Sequence, residues 1–246
     1  MAAGYESYYL ANLSAVSAAG ATYVDILSRN FAPTEPKDFV FFGGGYNMTI
    51  NNNAIDIYHT MVLDSFPSVV GEFRRAGNDY PQPGGLHYAH AMELPVGAYN
   101  LKTQQKSNAS GSTASRGNHV LAIGGLNIVA EGTLVASAAQ TTSEATVLTV
   151  NYTPDEAGKD YLILAYCDIL PPSGGEIIGR VKVDASEKME ARGYRNALGA
   201  LSRPLFFSKK VTWDDSAHSV TVTGQSVTTS GGTVENVYVS IIQITA

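Results

Sequence analysis

Residues 22–42 read T-Y-V-D-I-L-S-R-N-F-A-P-T-E-P-K-D-F-V-F-F, and residues 144–164 read E-A-T-V-L-T-V-N-Y-T-P-D-E-A-G-K-D-Y-L-I-L. Each stretch begins with alternating apolar and polar residues, which is typical of a half-buried strand. Each strand ends in Asn, an aromatic residue, a small residue and Pro, at residues 30–33 and at residues 151–154. A short acidic turn, Lys-Asp and a second apolar run follow in both places. The pattern therefore predicts one strand–turn–strand unit that occurs twice, about 120 residues apart.

The rest of the chain keeps the same order in both halves. H-S-V-T-V-T at 218–223 corresponds to Y-N-L-K-T-Q at 99–104, and both are followed by a Gly/Ser loop and a final apolar run. Two aspartates of the first half, Asp38 and Asp64, recur in the second half as Asp160 and Asp184. Repetition in both halves favours structural roles, such as capping the end of a strand or bonding a turn amide. We therefore predict an internal duplication, with domain 1 at 1–128, domain 2 at 129–246 and a short join at 127–133.

The fold class that this spacing predicts is all-β. Each half, about 115 residues long, has room for seven or eight short strands separated by turn residues, which indicates an antiparallel β-sandwich, jelly-roll-like or Ig-like. The three glycines at 43–45 predict a bulge or a close backbone approach at the end of a strand. Residues 86–94 and 98–105 predict a hairpin, and 187–200 favours a strand with a loop over a helix.

Composition excludes several classes of protein. Charged residues make up 15% of the chain against a typical value of about 25%. The net charge is −6 and no stripe of Lys and Arg occurs, so we expect no nucleic-acid partner. The absence of a long apolar run predicts no membrane span, and the absence of a signal-peptide pattern predicts synthesis in a cytoplasm. Cys167, the single cysteine, lies in an apolar strand and is expected to be a buried structural thiol.

The sequence contains no known arrangement of catalytic residues, so we expect neither an enzyme nor a cofactor. His87 and His90 are three residues apart, a spacing that places them on opposite faces of a strand, and we expect no metal site. His59, His119 and His218 are isolated, and His218 replaces Tyr99 of the first half, which indicates a tolerant surface position. The adjacent acids 214 and 215 are expected to form a turn rather than a calcium site.

Aromatic residues are the remaining signal. The fourteen tyrosines and Trp213 have two interpretations, a platform that stacks on sugars or a surface for protein contacts. Tyr5, Tyr8 and Tyr9 at the N-terminus belong either to an edge strand of domain 1 or to an arm that docks on a partner. If they form an arm, deletion of residues 1–12 should weaken attachment without unfolding the domains.

The second half resembles β-sandwich modules of tailed-bacteriophage virion proteins. The resemblance rests on H-S-V-T-V-T at 218–223, the T-S-G-G-T loop at 229–233 and V-E-N-V-Y-V-S-I-I at 234–242. It implies a structural role in a virion, first as a capsid decoration (cement) protein that binds major capsid or tail proteins. It transfers no functional residue, because these families have no catalytic set. We expect a homo-oligomer, with a trimer as the first hypothesis; the alternative is a tail or fibre component or a host-adhesion carbohydrate-binding module.

Overall fold

The computed structural model describes residues 6–12, 16–49, 57–64, 66–75, 86–107, 112–134, 136–196, 199–201 and 203–244. Every regular element in these ranges is a β-strand, so the predicted all-β class is confirmed. The chain divides into two units, Met1–Leu126 and Asn127–Ala246, and each is described by itself. In the described part of the chain, no helix reaches the length and hydrophobicity of a membrane span.

The first unit contains strands β1 to β9 among its described residues. Their bounds are β1 Glu6–Asn12, β2 Val16–Ala19, β3 Val24–Phe31, β4 Lys37–Thr49, β5 Ile57–Leu63, β6 Phe66–Arg75, β7 Leu86–Leu94, β8 Tyr99–Ser107 and β9 Ser112–Gly124. One sheet has the order β1-β9-β4-β7, with β2 also paired to β9, and the strands of the other have the order β6-β5-β8-β3. All these pairings are antiparallel.

The second unit contains strands β10 to β19 among its described residues. Their bounds are β10 Asn127–Leu134, β11 Ala138–Gln140, β12 Ala145–Tyr152, β13 Lys159–Leu170, β14 Glu176–Val183, β15 Ser186–Asn196, β16 Gly199–Leu201, β17 Arg203–Trp213, β18 His218–Ser226 and β19 Gly232–Gln243. One sheet has the order β10-β19-β13-β17, with β11 also paired to β19, and the strands of the other have the order β12-β18-β14-β15-β16. These pairings are antiparallel as well.

Both units have the same strand order. With the short β16 set aside, β1–β6 correspond to β10–β15 and β7–β9 to β17–β19, and each pairing within one unit has its counterpart in the other. Two antiparallel sheets wound in this order form a jelly roll. The predicted β-sandwich fold is therefore confirmed. A shared strand order is what a duplication would leave, and common descent of the two units stays a prediction.

The Asn-aromatic-x-Pro motif has the same position in both units. Phe31 ends β3 and is paired with Tyr99, and Tyr152 ends β12 and is paired with His218. Each strand also carries a register shift at the same distance before its aromatic residue, at 25–27 and at 146–148. In both units, the motif therefore ends one strand at the point where the chain crosses to the facing sheet.

The core of each unit lies between its two sheets. In the first unit, Phe31 of β3 contacts Phe39 and Phe41 of β4, with ring centroids 5.4 and 6.2 Å apart. In the second unit, a cluster of buried side chains includes Val181 and Val222 from one sheet and Ile163 from the other. Burial of these apolar side chains supplies the main driving force for folding.

Three predicted elements differ from the structure. The residues predicted as a hairpin are β7 and β8, but β7 pairs with β4 and β8 pairs with β3 and β5, so the hairpin prediction is wrong. The predicted join at 127–133 is strand β10, which pairs with β19. The strand that was expected to end at the glycines continues to Thr49 as part of β4.

The glycines in β4 nevertheless have the two predicted properties. The register of β4 against β9 shifts between Gly44 and Tyr46, which is a bulge. A Cβ atom at Gly43 would lie 2.9 Å from Sδ of Met61 in the facing sheet, which is a close approach. Residues 187–200 contain strand as predicted, in β15 and β16.

Candidate functional site

The clearest cluster of ionisable groups surrounds His218 at one end of the second unit. Its Nδ1 lies 3.0 Å from Oδ2 of Asp184, and its Nε2 lies 3.1 Å from Oδ1 of Asp214. Trp213 stacks on the imidazole with the ring centroids 4.6 Å apart and the planes at 6°. Ionised carboxylates only accept hydrogen bonds, so in each of these contacts the ring nitrogen of His218 is the donor when it carries a proton.

The two aspartates come from different turns. Asp184 follows β14, has a φ of 51°, and accepts a second hydrogen bond from N–H of Ser219 at 2.9 Å. Asp214 follows β17 and accepts hydrogen bonds from the amide and the hydroxyl of Ser216, which together with His218 lower the pKa of its carboxyl. His218 therefore connects two turns, and whether this position tolerates substitution stays a prediction.

The geometry around His218 differs from that of a serine–histidine nucleophile pair. Ser216 Oγ donates to Asp214. In the described residues no serine hydroxyl bonds to the imidazole of His218, whose ring nitrogens face carboxylates. A nucleophile–base pair needs a hydrogen bond between the nucleophile and the base. The arrangement stabilises the two turns that it joins.

Trp213 does not offer a sugar-stacking surface. Only 4% of the residue is exposed, and its ring also lies 5.2 Å from the ring of Tyr161. The corresponding end of the first unit has a similar aromatic group, in which Phe31 contacts Tyr99 at 5.6 Å and Tyr8 at 5.1 Å. Both groups fill the end of a sandwich rather than line an open groove.

The predicted N-terminal tyrosines have separate surroundings. Tyr5 lies outside the described residues. Tyr8 and Tyr9 belong to β1, an edge strand paired with β9 of the same unit. Tyr8 points inward, contacts Phe31, and donates a hydrogen bond to Oε2 of Glu6 at 2.9 Å, whereas Tyr9 is 60% exposed.

An ion pair holds β1 against β4. Glu6 accepts a hydrogen bond from Lys37, whose side chain is only 7% exposed, and this contact lowers the pKa of the Glu6 carboxyl. The segment is therefore part of the first unit. Of the two interpretations, the edge strand describes Glu6–Asn12, and docking on a partner stays a prediction that now concerns Tyr9.

The other candidates for chemistry are placed in the interior or remain untested. Cys167 is fully buried in the core, as predicted, and burial raises the pKa of its thiol. His59 is fully buried on β5. His87 and His90 lie on β7, and their side chains are outside the described part. The described residues contain no group of His, Cys, Asp and Glu side chains arranged for a metal ion.

Of the repeated aspartates, Asp184 has the predicted contact with a turn amide, because its Oδ1 accepts a hydrogen bond from N–H of Ser219. The bonds that Asp38 and Asp160 accept from Gly125 and Ile244, at 3.1 and 3.0 Å, are made by their main-chain carbonyls and do not depend on the side chain. A structural role for the carboxylates of Asp38 and Asp64 stays a prediction.

A second polar feature, a buried carboxylate, was not apparent from the sequence. Asp168 on β13 is 2% exposed and accepts hydrogen bonds from the hydroxyl of Tyr166 at 2.6 Å and from Nδ2 of Asn236 at 2.9 Å. Tyr166 and Asp168 lie on the face of β13 opposite to Cys167, so both faces of this strand are buried. A run of apolar residues interrupted by one Asp was the available signal.

A network of ion pairs covers the outer face of β14 and β15. Arg180 Nε lies 3.0 Å from Oε2 of Glu190, and Lys182 Nζ lies 2.5 Å from Oε1 of Glu144. Arg192 extends the network, because its Nη1 lies 3.0 Å from Oε1 of Glu176. Each pair of this partly exposed kind contributes at most about 1 kcal/mol to stability. The face is polar and nearly neutral, which suits contact with water or with another polar protein surface.

Comparison with known proteins gives no family. No protein-family model matches the chain, and no curated protein matches it. The structure of the infectious bursal disease virus Gx strain is similar over 98% of this chain and 40% of that chain, at 9% identity and a TM-score of 0.33. PNGF-II is similar over 88% of this chain and 59% of that chain, at 9% identity and a TM-score of 0.32. The insecticidal delta-endotoxin Cry8Ea1 from Bacillus thuringiensis is similar over 86% of this chain and 53% of that chain, at 8% identity and a TM-score of 0.30.

The chain spans about 40% to 60% of the length of these three structures. Their TM-scores are too low to carry a functional argument. The functional interpretation therefore rests on this chain's own residues.

Proposed function

We propose that the protein is a structural component of a virion, most specifically a capsid decoration (cement) protein that stabilises a shell by binding it. The observation that supports this proposal is that, in the part of the chain that the structure describes, groups suited to chemistry take part in packing and pairing within the units. Cys167 and Trp213 are buried in the second unit, and His218 is held between two aspartates. Jelly rolls are common in viral capsid and lectin domains, and this likeness of fold is an analogy only.

The proposed partner is a major capsid or tail protein, and the protein acts as a homo-oligomer, with a trimer as the first hypothesis. Lasting attachment needs an interface of about 1,000 Å² or more. Tyr9 is a suitable contact residue, since it is 60% exposed on an edge strand and tyrosine is enriched at protein interfaces.

Quantitative mass spectrometry of purified virus particles tests the proposal. A decoration protein is expected in a copy number that scales with that of the major capsid protein. A few copies per particle would instead favour the alternative of a tail or fibre component. Absence of the protein from the particles would refute both structural roles.

A pair of matched substitutions tests the contact surface. Deletion of residues 1–12 would remove Glu6 and Tyr8, which stabilise the first unit, so its effect on attachment would be ambiguous. Tyr9→Ser should lower the occupancy of the protein on particles in a co-sedimentation assay, whereas Tyr194→Ser, at a tyrosine that is 54% exposed in the second unit, should not. Equal occupancy of both variants and the wild type would remove Tyr9 from the docking surface.

A further inference from the structure

The interior of the first unit contains a group of polar side chains. His59 on β5, Thr103 and Gln105 on β8, and Asn118 on β9 are all fully buried. A hydrogen bond of 3.4 Å joins Nε2 of His59 to Oδ1 of Asn118, and it crosses from one sheet to the other. The group therefore lies between the sheets, at the level where apolar packing would be expected.

The second unit has small and apolar residues at the corresponding positions. His59 is paired with Gln105, and the corresponding pair in the second unit is Gly179 and Gly224. A Cβ atom at Gly179 would lie 2.7 Å from Cγ2 of Ile169, so apolar neighbours occupy that space. Thus only the first unit, among the described residues, buries an imidazole in the centre of its sandwich.

The imidazole of His59 is in an environment that disfavours its positive charge. The pKa of His59 is lowered to about 4, first by burial and to a smaller extent by the nearby His119, while the hydrogen bond to Asn118 acts in the opposite direction. Nδ2 of Asn118 and Oγ1 of Thr103 are themselves buried without a hydrogen-bond partner.

The charged groups of the adjacent β8 point away from the interior. Lys102 bonds to Asp25 and Asp64, and Lys106 lies over the ring of Tyr23 at 4.2 Å from its centroid. The contributions described for His59 itself are its burial, the amide of Asn118 and the imidazole of His119.

We propose that the first unit contains an acid-sensitive lock, in which protonation of His59 opens the interior of that unit at a pH where the second unit stays closed. Protonation is linked to opening, because the open state exposes the imidazole to water and binds the proton more tightly. With a pKa of about 4 in the closed state and 6.5 in the open state, the opening equilibrium should increase about 20-fold from pH 7 to pH 5.

Hydrogen–deuterium exchange of the full-length protein at pH 7.0 and pH 5.0 measures this opening for each unit. After correction for intrinsic exchange, peptides from β5, β8 and β9 should lose about 20-fold in protection at pH 5.0. Peptides from β14, β18 and β19 should keep theirs. An equal loss in both units, or no loss in either, would overturn the proposal.

Two variants identify the group responsible. His59→Gln, which keeps a buried polar side chain without a titrating ring, should abolish the acid response of the first unit. His218→Gln, in the second unit, should leave it unchanged. A first unit that still opens at pH 5.0 in His59→Gln would refute the role of His59. If His59→Gln does not fold, the NMR signal of His59 in the wild type decides, since it should not titrate above pH 5.5 while the first unit remains closed.

Discussion

Removal of one hydroxyl tests the buried carboxylate of the second unit. In Tyr166→Phe the ring remains and the O–H that donates to Asp168 at 2.6 Å is lost. Both residues are at most 2% exposed, so water does not replace the lost donor without rearrangement. Burial, together with the charge of Asp168, raises the pKa of Tyr166 well above its usual range, so the hydroxyl remains a donor at neutral pH.

The expected cost follows from the type of bond that is removed. A hydrogen bond to a charged group contributes about 1.5–3 kcal/mol, roughly twice the value of a neutral bond. Asn236 still donates to Oδ2 of Asp168, so the carboxylate keeps part of its compensation. We therefore expect the free energy of unfolding of the second unit to fall by about 2 kcal/mol.

Urea denaturation at pH 7.5, followed by tryptophan fluorescence, measures this change because Trp213 lies in the second unit. Tyr194→Phe is the matched control, since Tyr194 is 54% exposed and its substitution should change the free energy of unfolding by less than about 0.5 kcal/mol. The reasoning is refuted if Tyr166→Phe has no larger effect than Tyr194→Phe.

Three further outcomes are expected. Gly124→Ala should cost about 1–3 kcal/mol in thermal unfolding, because the new Cβ would lie 2.4 Å from the ring of Phe39; an unchanged melting temperature would contradict that contact. Trp213→Ala should cost about 3–5 kcal/mol of stability and leave glycan-array signals unchanged, whereas loss of a specific glycan signal in a folded variant would favour sugar binding. Glu144, whose pKa is lowered first by Lys182, stabilises the protein above its usual pKa of 4.5 and loses that contribution at lower pH. Glu144→Gln should therefore flatten acid unfolding of the second unit below pH 4.5, and an identical acid profile would count against the ion pair.

The acid-sensitive lock and the paired carboxylates Glu6 and Asp160 respond to different ranges of pH. Opening of the first unit is expected between pH 6.5 and pH 4, because the pKa of His59 is depressed in the folded state. The paired carboxylates Glu6 and Asp160 have lowered pKa values, so their stabilising contributions disappear only below their ordinary pKa values of 4.5 and 3.8. Two separate acid transitions are thus expected, the first in the first unit.

Local sequence patterns were enough to predict many of the strands, their repetition and the residues that end them. Alternation over residues 22–31 and 145–152 identified β3 and β12, and the shared Asn-aromatic-x-Pro motif located the same turn in both units. These signals are local, since they depend on periods of two residues and on the restricted backbone of Pro. The jelly-roll-like sandwich was predictable for the same reason.

Which strands pair, and which side chains are buried, became clear from the folded chain. Residues 95–97 form a turn in either case, yet the chain there passes from one sheet to the other instead of closing a hairpin. Likewise, local pattern does not distinguish Tyr8, which packs on Phe31, from the exposed Tyr9, or predict that His59 faces Asn118. The physical reason is that pairing and burial depend on contacts between residues far apart in the chain, whose partners no short stretch of sequence specifies.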